Sequence, residues 1–421
     1  MAEIAPDSRR LIIGVPREIA PNERRVAAIP EAVTRLVGSG VTVLIETGAG
    51  EGSFISDDAY AAAGASIVPD ARSLYGQAQL VLKVHRPDDR ELHLLQPGST
   101  LVAFLAPLTN PDLVQTLAAR RVTAFSMDAI PRTTRAQSMD ALSSMSTVAG
   151  YKAVVMAADH LARFFPLLMT AAGTIPPAKA LVIGAGVAGL QAIATARRLG
   201  AVVEAYDTRP VVKEQVESLG ATFVEVDAGD TDTQDAGGYA KEASADLLRR
   251  QQEKLAERSE RADFIITTAL IPGRPAPRLI TAETVSKMRP GSVIVDLAGE
   301  MGGNCELTVP GEVVVRHGVT IMGPLNLPST LPVHASQMYS KNIQNLLALM
   351  LKDGKFRLNF EDDIVKGTCI THAGEIVHEP TRARLGLGQL APQPAAAGAN
   401  GAPPAPSEVS APPATPASQR G

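Results

Sequence analysis

Two doubly wound, Rossmann-like α/β domains with parallel sheets, joined by long helices and followed by a disordered tail, are the fold class that this sequence predicts. Three observations carry it. Short apolar runs bounded by turn residues alternate with helix-forming stretches from residue 11 to residue 323. Midway, the run 180–183 ends in a glycine fingerprint, Gly184-Ala-Gly186-Val-Ala-Gly189, which opens a helix. The next apolar run, 202–206, closes on an acid, Asp207. Strands that alternate with helices pack as a parallel sheet covered on both faces.

In chain order, residues 11–15 read as the first strand and 30–37 as a helix closed by Gly38 and Gly40. Residues 41–45, 80–84, 101–105 and 122–126 read as further buried strands, with helices at 57–63 and 112–120. A long helix over 143–169 is expected to bridge to the second domain. There the fingerprint helix stops at Gly200, and a helix at 213–219 and a strand at 222–226 follow. A polar insertion, 228–242, comes next; loops of this length are functional lids or disordered. A charged helix over 243–261 leads to strands at 264–268, 292–297 and 320–323. A second long helix, 331–351, carries Val333, Ile343, Leu346, Leu347 and Met350 on its apolar side and returns the chain to the first domain. The first domain is therefore expected to hold 1–142 and 331–387, and the second 143–330. Residues 388–421 are rich in Ala, Pro, Gly and Ser, bury too little apolar surface to offset ordering entropy, and read as a disordered tail.

Composition excludes several function classes. In 421 residues, 40 Lys and Arg face 44 Asp and Glu, a net charge of −4 that suits neither nucleic acid nor an anionic membrane. The first residues lack the apolar core of a signal peptide. The longest apolar stretch, 153–173, is interrupted by Asp159, His160 and Arg163, so no membrane insertion is expected. Cys305 and Cys369 form no metal motif or disulfide framework, and His85, His93, His317 and His334 show no metal spacing. A soluble, reduced, cytoplasmic protein without a metal is expected.

The fingerprint supplies the chemistry. Gly184 permits a tight turn, Gly186 lets backbone approach a pyrophosphate, and Gly189 lets helix pack on strand. Phosphates would sit on the first helical turn, at Val187 and Ala188, where N–H groups and the dipole favour anions. Asp207 stands near the offset of a ribose-binding acid, followed by Thr208 and Arg209. A carboxylate there suits a free 2′-hydroxyl, so NAD(H) is favoured over NADP(H); Arg209 is the dissenting feature, since it could hold a 2′-phosphate.

Four stretches together are similar to one family. They are Gly14-Val-Pro-Arg-Glu18 with Asn22-Glu-Arg-Arg-Val26; Arg135-Ala-Gln-Ser-Met-Asp-Ala-Leu-Ser-Ser144; Gly237-Gly-Tyr-Ala-Lys-Glu242; and Ala269-Leu-Ile-Pro-Gly273 followed by Pro275-Ala-Pro277. They resemble alanine dehydrogenase and the NAD(H)-binding component of proton-translocating transhydrogenase, and the second and third resemble the transhydrogenase specifically. The resemblance covers about residues 10–380 and implies a homodimer holding NAD(H) in an interdomain cleft. It further implies hydride transfer to NADP(H) on an NADP-binding subunit, coupled to proton movement by a membrane-spanning subunit, with this chain attached peripherally to the inner membrane through those partners.

The resemblance also assigns residues. Arg132, Gln137, Asp140 and Ser143 match the loop beside the nicotinamide, where an arginine and polar groups can aim the ring. Ala269 and Leu270 belong to the matched nucleotide-contacting stretch, and Tyr239 matches the tyrosine of a mobile loop that closes over nucleotide. Tyr151 fits either a site residue or a core aromatic. Arg17 and Lys83 match the positions by which alanine dehydrogenase grips its keto acid, but Ala106 stands where that enzyme carries its catalytic histidine, and Glu300 replaces an aspartate. Oxidising an amino acid moves a proton as well as a hydride and needs a positioned acid–base group, whereas transfer between two nicotinamide rings moves hydride alone. Transhydrogenation is thus the leading expectation. A free-standing alanine dehydrogenase-like oxidoreductase and a non-catalytic NAD-sensing module are the alternatives.

Overall fold

A computed structural model of the chain describes residues 10–226, 244–270, 275–352 and 354–388. Strands β1 (Ile12–Val15), β2 (Thr42–Glu46), β3 (Ser66–Val68), β4 (Leu80–Leu82), β5 (Thr100–Ala103) and β6 (Thr123–Ser126) pair in parallel in the order β3-β2-β1-β4-β5-β6. Ile13, Val15, Leu80, Leu82, Leu101 and Val102 are fully buried, as befits strands covered on both faces. The strand order reverses between β1 and β4, which makes their carboxyl ends the switch point of this sheet.

The bridging helix, Ala141–His160, starts on Asp140, whose side chain accepts the Ser143 N–H. It lies so close to the fingerprint helix, Val187–Arg198, that a Cβ on Gly150 would collide with the Ala188 carbonyl. The helix ends at His160 rather than at 169: Leu161 is extended, and Pro166 lacks the N–H and disfavours helix at Phe165 before it. The remaining apolar run forms an antiparallel hairpin, β7 (Leu168–Thr170) and β8 (Gly173–Ile175), which projects Met169 at 80% exposure beside exposed Leu167 and Ile175.

The second sheet consists of β9 (Lys179–Ile183), β10 (Val202–Tyr206), β11 (Thr222–Phe223), β12 (Phe264–Thr267), β13 (Val293–Asp296), β14 (Val313–Arg316) and β15 (Val319–Met322), in the order β11-β10-β9-β12-β13-β15-β14. All pairs are parallel except β14 with β15. This sheet repeats the plan of the first, with its switch point between β9 and β12. β11 is shorter than the expected 222–226, and β14, an exposed edge, is absent from the sequence-based expectation.

The helix Pro332–Met350 carries the chain back, burying Ala335, Tyr339, Ile343, Leu346, Leu347 and Met350 against the first sheet's core; Val333 faces outward, contrary to its expected place. A small hairpin, β16 (Leu351–Lys352) with β17 (Lys355–Phe356), follows. β18 (Cys369–His372) then adds antiparallel to β6, and β19 (Glu375–Ile376) closes the edge. Two α/β domains of the predicted class thus face each other across the bridging helices. The expected lid, 228–242, and the tail after 388 lie outside the described residues.

Candidate functional site

Each glycine of the fingerprint has its own geometry. Gly184 sits at φ +96°, the left-handed region, and a Cβ there would come within 2.6 Å of the Thr268 hydroxyl. A Cβ on Gly189 would penetrate the Gly184 carbonyl oxygen, so this glycine lets the helix seat on β9. Gly186, the helix N-cap, would meet nothing within 4 Å. Its Cα faces open space, which is what close approach of a phosphate requires. Thr268, just past β12, donates to the Gly184 carbonyl at 3.1 Å and ties the turn to the switch point.

That space is part of a cleft of about 870 Å³ between the domains, within the range of small-molecule and cofactor sites. Gly184, Gly186, Val187 and Ala188 form its floor, and Asp207, Thr208 and Arg209 one end. Ala269 and Leu270 line it from the β12 side, Arg132 and Ser143 from the bridging helix and the loop before it. Three predicted residues are not on its wall. Gly189 lies beneath the turn, Asp140 caps the bridging helix, and Gln137 is exposed on the loop outside. Tyr239 lies outside the described residues. Tyr151 does not join the core; it is exposed on the bridging helix.

Asp207 is 9% exposed and accepts four hydrogen bonds. Its Oδ2 receives the Ala185 N–H at 2.7 Å, which fixes the carboxylate to the glycine turn. Its Oδ1 receives the Arg209 N–H at 2.9 Å, and the Arg209 guanidinium adds Nε and Nη2 contacts, also at 2.9 Å. The dissenting arginine is therefore paired with the acid it was set against.

The loop that bears Arg132, Gln137 and Asp140 is held from the first domain. Its two-turn 3₁₀ helix Thr134–Met139 buries Ala136 and Met139. Arg135 forks onto Asp362 at 2.7 and 2.8 Å and also reaches Asp363. The amides of Asn342 and Asn345, one turn apart on the long return helix, both donate to the Ser138 carbonyl at 2.9 Å. Asp140 accepts from the Ser143 hydroxyl at 2.5 Å, which places Ser143 on the cleft wall.

Sequence reasoning missed several supports. Asn304 is fully buried and holds Ala269 on both sides, accepting its N–H at 3.0 Å and donating to its carbonyl at 2.8 Å. Buried Asp296, at the end of β13, accepts from Thr267, Ala298, Cys305 and Thr308 and so orders the Asn304 loop. Across the cleft, Glu23 binds Arg25 and the Asn326 amide, while the Asn326 N–H reaches Glu300 at 3.1 Å. Burial pushes the Glu23 carboxyl up, but the hydrogen bonds and charge of Arg25 with the Asn326 amide overcome this and hold it at about 2. Only the Gly302-Gly303-Asn304 run hinted at such a buried polar knot.

Lys83 and Arg17 do not line the cleft. Lys83 is fully buried, 2.7 Å from Glu91 and 3.2 Å from Glu18, and Tyr75 donates to Glu91 at 3.1 Å. Arg17 is exposed, its N–H bound to Glu46 at 2.9 Å. Ala106, at φ +45°, offers only a methyl group, and among the described residues no histidine or lysine lines the cleft.

The alanine dehydrogenase/PNT N-terminal domain matches residues 14–149, and the corresponding C-terminal domain matches 153–379. The chain belongs to the alanine dehydrogenase/PNT family. Within it, the chain is 51% identical over 374 residues to a chain of NAD(P) transhydrogenase subunit alpha from Rhodospirillum rubrum, covering 87% of this chain and 97% of that one. It is 31% identical over 385 residues to the alanine dehydrogenase of Mycolicibacterium smegmatis, covering 90% of this chain and 97% of that one. The solved structure of a transhydrogenase from Sinorhizobium meliloti superposes with a TM-score of 0.78 at 46% identity, over 87% of this chain and 100% of that one. Within this family, similarity is thus greater to the transhydrogenase chains than to the alanine dehydrogenase.

Proposed function

We propose that this chain is the NAD(H)-binding component of a proton-translocating NAD(P) transhydrogenase. The observation that carries the reading is the cleft: a phosphate-compatible glycine turn and a buried acid at one end, Arg132 and Ser143 at the other, and neither His nor Lys among the described lining residues. Those residues can orient a nucleotide but include no histidine or lysine to move a substrate proton.

The residues fit the cofactor. The open Gly186 and the N–H groups at Val187 and Ala188 would hold the pyrophosphate, and Asp207 would hold the adenosine ribose. Arg132 and Ser143 on the cleft wall would position the nicotinamide, with Ser143 held by Asp140 and with Gln137 beside them on the same loop, and Tyr239 would cover it. When bound, NADH supplies the hydride; the protein's part is alignment and exclusion of water. The acceptor is NADP⁺ on a second subunit, and a membrane-spanning subunit couples transfer to proton movement. No helix among the described residues is long and apolar enough to cross a membrane, in keeping with peripheral attachment through those partners. The chain works as a homodimer, whose contact would cover the apolar arm of Leu167, Met169 and Ile175. Its two domains are residues 1–142 with 331–387, and 143–330.

The test is transfer kinetics with a soluble NADP-binding partner. Arg132→Ala and Gln137→Ala should slow hydride transfer more than they weaken NADH binding, since misplacing reactants by about 1 Å can cost on the order of 10²-fold in rate. Equal losses in rate and affinity, or none, would contradict their assigned role.

A further inference from the structure

The bridging helix belongs to both domains. Ala141, Met145 and Val148 pack in the first domain's core, whereas Ala153, Val154 and Ala157 pack in the second's. Gly150, buried, stands at the changeover. A glycine inside a helix gives up backbone entropy that an alanine would spare, so its place needs a reason. The reason is the Ala188 carbonyl: a Cβ on Gly150 would collide with its oxygen and lie 2.9 Å from its carbon. We infer that Gly150 is a positioning residue for hydride transfer, a fourth glycine of the nucleotide turn supplied from the bridging helix. The inference rests on the nucleotide reading above and adds how the wall of the cleft is set against its floor.

Ala188 belongs to the first turn of the fingerprint helix, whose free N–H groups would take the pyrophosphate. Glycines grip that turn from two sides. Gly189 seats it on the Gly184 carbonyl, and Gly150 lets the bridging helix close on Ala188. From Gly150 the bridging helix runs back along the cleft, where Leu142, Ser143, Met145, Ser146 and Ala149 line the wall. Ser143 stands about two turns away, roughly 10 Å along the axis. The helix starts on Asp140, at the end of the loop that carries Arg132. One rigid element therefore links the pyrophosphate turn to the groups proposed to aim the nicotinamide, and the Gly150–Ala188 contact fixes its height. Carbon and carbonyl oxygen settle at about 3.3 Å or more, so the methyl group of an alanine would force the helices apart by on the order of 1 Å. The fingerprint helix is seated in the second core through Ala192, Ile193 and Ala196, so the front half of the bridging helix is the part that gives way.

The experiment uses the full-length protein with a soluble NADP-binding partner. Stopped flow gives the transfer rate at saturating NADH, and calorimetry gives the affinity for ADP-ribose, which lacks the nicotinamide. Gly150→Ala should slow transfer by about tenfold or more, because misalignment of about 1 Å can cost on the order of 10²-fold. Its affinity for ADP-ribose should stay at the wild-type level, since the glycine turn and Asp207 are untouched. Ala157→Val overpacks the same helix within the second core and should lower thermal stability while leaving both readings unchanged. If Gly150→Ala is poorly folded by circular dichroism, the double variant with Val148→Ala takes its place. Val148 lies on the opposite face, against the first domain, and its truncation gives the helix room to shift. Wild-type transfer in a folded Gly150 variant overturns the positioning role, as does a fall of transfer and ADP-ribose affinity in step. Equal slowing in Ala157→Val overturns it too, since any loss of packing would then suffice. A wild-type protein that binds neither ADP-ribose nor NADH overturns the nucleotide reading itself.

Discussion

The two sheets share the order of their first five strands and the switch point within it, yet the crevices at those points are opposites. Beyond β1 and β4, the first sheet's crevice is filled by Lys83, Glu18 and Glu91, all almost wholly buried. Beyond β9 and β12, the second sheet's crevice holds a glycine turn and the backbone of Thr268 and Ala269, and opens into the cleft. In one, charge is sealed in and serves cohesion; in the other, backbone is laid bare for a ligand. A shared fold sets where a site can be, and side-chain volume decides whether it exists.

The sealed crevice should respond most to mutation. Lys83→Met strands two carboxylates without their cation; removing one partner of a buried pair costs about 3–5 kcal/mol. Urea unfolding should show that loss, while the NADH affinity of the protein that remains folded should be unchanged. A specific fall in NADH affinity at full stability would place Lys83 in the site after all.

Glycine substitutions sharpen the contrast within the open crevice. Gly189→Ala forces a methyl group into the Gly184 carbonyl, and overpacking of this kind costs about 1–3 kcal/mol of stability. Gly186→Ala meets no protein atom within 4 Å, so thermal unfolding should not shift while NADH affinity falls. Similar thermal shifts in the two variants would erase the distinction drawn between them.

Replacing both Asn342 and Asn345 with alanine frees the Ser138 carbonyl and should slow hydride transfer roughly tenfold with little change in NADH affinity, because the loop is misaimed rather than lost. Stopped-flow rates set beside a binding titration decide this. Unchanged transfer would mean that Arg135 and Asp362 suffice to hold the loop.

The last effect is read in the pH dependence and concerns Glu23. Its carboxyl is held at about 2 in the folded protein, below its ordinary value of 4.5. A depressed folded pKa gives stability that is fully present above the unfolded value and lost as pH falls through the folded one. The Glu23–Arg25–Asn326 tie across the cleft should therefore be intact at pH 7 and weaken from about pH 4.5 towards 2. Glu23→Gln should flatten acid unfolding over that window and leave behaviour near neutrality dependent only on the lost ion pair. An unaltered acid profile would remove Glu23 from the interdomain account.

Much of this was legible in the sequence, for identifiable reasons. Parallel strands read clearly because they are short apolar runs with glycine and charge at their ends, and the fingerprint declared its own role through the spacing of three glycines. What escaped lacks such a period. The stretch 161–175 is apolar like the helix before it, and only Pro166 betrays the change to a hairpin. Edge strands β14 and β19 are largely exposed or very short, and buried β18 is only four residues of mixed character, Cys369-Ile-Thr-His372, so no run marks them. In the site, Gly186 and Asp207 were legible because their chemistry is local, whereas Arg132 was assigned only through the family resemblance. Asn304, Asn342 and Asp362 were not legible, because each acts on backbone or side chain far away in sequence. The pairing of Arg209 with Asp207 needed coordinates, since two residues two apart at a strand end can face together or apart.

We propose that the cleft aligns a nicotinamide for a second nucleotide rather than for an amino acid. The most direct measurement mixes the full-length chain with a soluble NADP-binding partner, NADPH and an NAD analogue of shifted absorbance, and follows the mixture by stopped flow. In parallel, the chain alone is given NADH, pyruvate and ammonia. Rapid transfer between the nicotinamide nucleotides is expected in the mixture, with no oxidation of NADH by pyruvate, since Ala106 supplies no acid–base group. Robust pyruvate reduction by the isolated chain, without transfer in the mixture, would contradict it.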